Sequence, residues 1–109
     1  MSTLSTHVLD TSLGTPAAGV RVALERDDGS PQPLAAAATD ADGRARDIAR
    51  EPLSAGTYRL RFDTAGYFAR TGRETLYAEV VVTFVVREDE HYHIPLLVSP
   101  FGYSTYRGS

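Results

Sequence analysis

The chain has 109 residues, 42% of them hydrophobic and 23% charged, the length and chemistry of one globular domain (1–109) and not of a disordered segment. A formal net charge of −3 leaves no basic footprint, so nucleic acid and anionic membranes are not expected as partners. The absence of cysteine excludes disulfides and thiolate chemistry, places stability in packing or assembly, and agrees with a cytoplasmic location.

The opening residues, Met1 to His7, have neither the basic start nor the apolar run of a signal peptide. In the first predicted strand Leu4, Thr6 and Val8 share one face, and Ser5, His7 and Leu9 share the other. Val20, Val22 and Leu24 then alternate with Arg21, Ala23 and Glu25, the period-two pattern of a half-buried strand. Asp27-Asp28-Gly29 reads as a turn, and a further strand is predicted from Leu34 to Thr39. Asp40-Ala41-Asp42-Gly43 is a second turn cluster, because Asp and Gly tolerate tight backbone conformations. Tyr58, Leu60 and Phe62 alternate with Arg59, Arg61 and Asp63 in another strand. The stretch from Thr71 to Ala78 contains fair helix formers and is predicted as a helix of one or two turns. Many short strands with a turn about every ten residues indicate a sandwich or barrel.

The last third differs. Val80 to Val86 is apolar on both alternating faces, which calls for a second layer or a partner subunit over the outer one. Further on, Tyr92, Ile94, Leu96 and Val98 form one face of a strand and His91, His93, Pro95 and Leu97 the other. Pro95 cannot donate to a ladder, so the strand is predicted to be irregular there. If the even-numbered faces point inward, His7, His91 and His93 all point away from the core.

Taken alone, three outward histidines are most simply surface groups. A His-x-His pair with a third His also has the ligand types of a zinc site, although the spacing is weakly specific. No Gly-x-Ser-x-Gly elbow supports a serine nucleophile, and no phosphate-binding glycine loop is present. Arg44, after the Asp42-Gly43 turn, reads by itself as a solvated charge.

The segment from His91 to Ser109 resembles the C-terminal block of the 5-hydroxyisourate hydrolases, ending in their distinguishing Tyr106-Arg107-Gly108-Ser109. Leu4-Ser5-Thr6-His7-Val8-Leu9-Asp10 and Thr39-Asp40-Ala41-Asp42-Gly43-Arg44 resemble that family's first two motifs, so the likeness runs from residue 4 to residue 109. It implies a transthyretin-like (prealbumin-like) all-β sandwich of two four-stranded sheets with one short helix. It also implies a homotetramer, a dimer of dimers, with active sites lining a channel where dimers meet. By motif match His7, Arg44, His93 and Ser109 are the catalytic set, and Tyr106, Arg107 and Gly108 contribute to substrate binding. His91 lies outside that set and is expected to support it. The implied reaction is hydrolytic ring opening of 5-hydroxyisourate, with neither metal nor cofactor. A hormone carrier of the same fold would lack the His, Arg and Tyr-Arg-Gly-Ser set. A generic prealbumin-like module would account for residues 8 to 67 but would not need the last third.

Overall fold

The computed structural model describes residues 2–27, 29–49 and 51–109. In chain order the strands are β1 (Thr3–Asp10), β2 (Thr15–Pro16), β3 (Arg21–Asp27), β4 (Pro31–Ala38), β5 (Arg44–Ala45) and β6 (Gly56–Phe62). A helix, α1 (Thr64–Arg70), precedes β7 (Val80–Val86), β8 (His91–His93), β9 (Leu96–Ser99) and β10 (Gly102–Thr105). One sheet runs β4-β3-β6-β7 and is antiparallel throughout. The other runs β10-β9-β1-β2, and β5 and β8 also pair with β1. The two sheets and the single short helix agree with what the resemblance implies, but the second sheet has six strands where four were expected, because the short β5 and β8 also pair with β1. No helix among the described residues is long and apolar enough to cross a membrane.

Period-two alternation builds the core. Val22 and Leu24 of β3, Tyr58, Leu60 and Phe62 of β6, and Val80 and Val86 of β7 face Leu4 and Val8 of β1. Tyr92, Ile94, Leu96 and Val98 complete it, so the even-numbered faces do point inward in both the first and the last segments. On β7 the odd-numbered Val81, Thr83 and Val85 lie on the outer face, where Val85 is 44% exposed in the single chain. The prolines Pro31 and Pro33 sit in β4, at the edge of its sheet, where a missing donor costs least.

Some expectations need correction. The helix lies at 64–70 and not at 71–78, which is turn and irregular chain. Asp63 caps it by accepting a hydrogen bond from the Gly66 amide at 3.0 Å. A Cβ at Gly66 would stand 2.3 Å from the Asp63 carboxylate, so the glycine that lowers helix propensity is what admits the cap. Gly72, at φ +71°, follows the helix end. The strand predicted at 34–39 begins earlier, at Pro31, and ends at Ala38. β3 runs on through Asp27, and Asp28 of the expected turn lies outside the described residues. The strand expected over 91–98 is interrupted at Ile94-Pro95, as the proline requires.

One buried cluster ties β1 to α1. The Asp10 carboxylate, 0% exposed, accepts from Ser12 N and Oγ, Leu13 N, Tyr67 Oη (2.7 Å) and Arg73 Nη2 (2.6 Å). Burial opposes its ionisation, but the bonds from Arg73, Ser12, Tyr67 and Leu13 outweigh that and hold its pKa well below the usual carboxylate range. A depressed folded-state pKa contributes stability that is present above the unfolded carboxyl's value of about 3.9 and is lost as pH falls through the folded one. Asp10→Ala leaves Tyr67 Oη without its acceptor and removes the carboxylate from Arg73, which keeps only the Ser12 and Thr71 hydroxyls. It is expected to cost about 3 kcal/mol of unfolding free energy at pH 7, read from urea denaturation, with a smaller cost in acid.

Candidate functional site

The turn from Asp40 to Arg44 presents the first site residues. The Asp40 carboxylate accepts from the backbone of Asp42 (2.9 Å) and Arg44 (3.0 Å), and Gly43 takes φ +76°. A Cβ on Gly43 would stand 2.4 Å from the Val8 carbonyl, so only glycine lets the turn lie this close to β1. Val8 N donates to Gly43 O at 2.7 Å, and the register sets Arg44 opposite His7. His7 Nε2 lies 2.9 Å from the Asp42 carbonyl. A carbonyl only accepts, so Nε2 carries the proton and Nδ1 is left as the basic nitrogen.

The other two histidines come from β8, which runs parallel to β1 with Thr3 opposite His91 and Ser5 opposite His93. The chain's end closes back on it: Gly108 N donates to His93 O at 2.8 Å, and the two residues form an antiparallel bridge. Ser5, Thr6, Arg44, Arg46, Asp47, His91, His93 and Ser109 line a recess of about 380 Å³. His7 stands beside it and does not line it in the single chain.

The recess is polar, with the guanidiniums of Arg44 and Arg46 and the carboxylate of Asp47 in its lining. Arg44 makes no ion pair among the described residues, so its guanidinium can meet a carbonyl or developing oxyanion. Burial, then the charges of Arg44, His91 and His7, push His93 below the ordinary histidine pKa, partly offset by the Ser5 backbone. Its imidazole is therefore neutral at physiological pH and able to accept a proton. His93 Nδ1 is engaged by Ser5 Oγ at 2.8 Å, which leaves Nε2 for a bound molecule. Among the described residues no cluster of three or more His, Cys, Asp or Glu could hold a metal ion.

The terminal tetrapeptide divides. Ser109 reaches the recess and Gly108 touches His93, whereas Arg107 pairs with Glu90 and stacks 4.6 Å over the Tyr92 ring. Tyr106 and Arg107 line a separate groove with Val85 and Tyr92. Within one chain, then, these two side chains face away from the recess. Sequence reasoning did not select Ser5, Arg46 or Asp47. Period two places Ser5 on the His7 face, but nothing local marks its partners, and nothing in the sequence marks the left-handed backbone of Asp47 (φ 45°). A larger groove of about 710 Å³ lies on the outer face of the other sheet. Five of its eleven lining residues are alanine, and its Arg61 already pairs with Glu25 and Glu79.

Comparison with known proteins matches residues 4–108 to the model of the HIUase/Transthyretin family. The 5-hydroxyisourate hydrolase of Caulobacter vibrioides is 51% identical over 115 residues, covering 100% of both chains. The solved 5-hydroxyisourate hydrolase of Klebsiella pneumoniae superposes with a TM-score of 0.92 at 50% identity, again covering 100% of each chain. Sea bream transthyretin, solved in complex with thyroxine, superposes with a TM-score of 0.91 at 32% identity, covering 96% of this chain and 93% of that one.

Proposed function

The chain belongs to the HIUase/Transthyretin family, and on that footing we propose that it is an enzyme that hydrolyses 5-hydroxyisourate in urate degradation. The observation that carries this reading is the meeting of Arg44, His93 and Ser109 around one small polar recess, with His7 in register beside Arg44. A site that only bound an apolar hormone would not need two imidazoles and a guanidinium that has no ion-pair partner among the described residues.

In the proposed reaction water attacks the cyclic amide carbonyl of the six-membered ring, the C–N bond breaks, and 2-oxo-4-hydroxy-4-carboxy-5-ureidoimidazoline is formed. His93 Nε2 takes a proton from the attacking water, and a histidine then returns one to the leaving nitrogen. His7, with Nδ1 as its basic nitrogen, shares this proton traffic. Arg44 binds the carbonyl oxygen and stabilises the charge that develops on it. Ser109 positions substrate or water. Gly108 holds His93 from behind through its backbone bridge, and Tyr106 and Arg107 bear on substrate through an assembled neighbour or by ordering the terminal segment. Water and proton carriers suffice for this chemistry, so the reaction as written uses no cofactor. The cysteine-free sequence suits a reducing, cytoplasmic setting.

The direct test is to mix the protein with freshly generated 5-hydroxyisourate and follow its ultraviolet decay, with and without a chelator. Decay far faster than the spontaneous reaction and indifferent to chelator is expected. A spontaneous rate would favour a carrier or a structural module, and chelator-sensitive decay restored by zinc would favour a metal site.

The working form is proposed to be a homotetramer. β7 and β10 end their sheets, and Val85, Phe101, Tyr103 and Tyr106 are exposed large apolar residues on or near these strands. Uncovered strand edges of this kind invite aggregation, and closed symmetric assembly is the usual remedy. Light scattering is expected to give about four times the 11.8 kDa of one chain. A stable monomer at micromolar concentration would refute the assembly and the shared channel together.

A further inference from the structure

We propose that Ser5, His91 and Thr3 form a proton relay behind His93, so that a proton taken up at His93 Nε2 is passed on as charge to His91. The kinetic part of this inference rests on the hydrolytic reading above; its structural part does not.

Ser5 Oγ stands 2.8 Å from His93 Nδ1 and 2.7 Å from His91 Nε2, and His91 Nδ1 lies 2.6 Å from Thr3 Oγ1. Ser5 is only 8% exposed, and the parallel register of β1 with β8 fixes all four side chains on one face. A hydroxyl carries one proton, so Ser5 donates to one ring and accepts from the other. Two arrangements satisfy that rule with neutral rings. In one, both histidines carry their proton on Nε2, and Thr3 donates to His91. In the other, both carry it on Nδ1, His91 donates to Thr3, and His93 Nε2 is bare.

The second arrangement is the one that can act on water. The O–H bond of the attacking water breaks and its proton joins His93 Nε2. His93 Nδ1–H then transfers to Ser5 Oγ, whose own proton moves to His91 Nε2. His93 ends neutral with Nε2–H, ready to donate to the leaving nitrogen, and His91 ends as an imidazolium. Only protons move, and their number is conserved.

The direction follows from the surroundings. His93 is half-buried beside Arg44, with His7 nearby, so a cation is disfavoured there, whereas His91 is the more exposed of the two rings in the single chain. Ser5 acts through His93 and is therefore a positioning residue.

Two measurements on the intact chain test this. Nitrogen-15 spectra of labelled histidine, without substrate, are expected to show matching tautomers in His91 and His93, a match that Ser5→Ala removes. Opposite tautomers in the unsubstituted protein, or both rings protonated on Nε2, would overturn the relay. In the hydrolysis assay Ser5→Ala is expected to lower kcat about 10- to 100-fold with KM nearly unchanged, and Ser5→Thr to keep most of the rate. His91→Gln should lower kcat about 10-fold, and combining it with Ser5→Ala should add little. Unchanged kcat in a folded Ser5→Ala protein, or fully additive losses, would count against the relay. Should Ser5→Ala not fold, the exposed His91→Gln decides the kinetic question alone. If the protein hydrolyses no 5-hydroxyisourate, the functional reading fails, while the tautomer spectra still decide the relay.

Discussion

Replacing His93 with alanine is expected to lower kcat/KM for 5-hydroxyisourate by at least ~100-fold while circular dichroism stays unchanged, the scale of a lost acid–base group. Arg44→Ala and His7→Ala should each lose a comparable factor, the first through lost charge stabilisation and the second through lost proton transfer. The pH profile supplies an independent check. Because the His93 environment lowers its pKa, the neutral, proton-accepting ring persists below the ordinary value near 6.5. Activity should therefore be retained as pH falls to 6.5 and decline only when pH drops through the lower, folded-state value. A folded His93→Ala protein with near-normal rates would remove the central assignment. An acid limb centred above 6.5 would mean that a different group is the base.

Gly108→Ala is expected to be nearly as damaging, although it deletes nothing. A Cβ there would stand 2.5 Å from His93 Cδ2 and 3.3 Å from Pro95 Cγ. Both neighbours are held: His93 by Ser5 and the backbone bridge, Pro95 by its buried place beside Ile94. The ring must move, and displacement of a reacting group by about an ångström costs on the order of 100-fold in rate. The thermal midpoint should shift by only a few degrees, because the strain falls at the edge of the sheet. Chain ends usually tolerate substitution and trimming. If 108 is such a tail, Gly108→Ala will match the parent protein in rate, and deletion of residues 106–109 will do the same. Either result would remove the terminal segment from the site.

The inside–outside alternation of β1, β3, β6 and the 91–98 segment was readable from the sequence, because successive side chains on a strand point to opposite faces by covalent geometry alone. That rule turned His7, His91 and His93 outward before any partner was known. The tight turn before Arg44 and the break at Pro95 were legible for a similar reason, since Asp, Gly and Pro constrain their own backbone. The site residues themselves came from resemblance and not from pattern, because a lone histidine or arginine looks the same whether solvated or catalytic.

Tertiary structure decided what lies across long sequence separations. Whether Ser5 bridges two rings 86 and 88 residues away depends on the register of β1 against β8, and no local preference encodes that register. Arg107 has the charge expected of a substrate contact, yet Glu90 and the Tyr92 ring compete for its guanidinium and turn it from the recess. The helix formed at 64–70, where propensity is poor, because burial of Tyr67 and Phe68 and the capping carboxylate of Asp63 outweigh the tenths of a kcal/mol that propensity contributes per residue. Periodicity is a property of the chain; the partner each side chain meets is a property of the packed sheets.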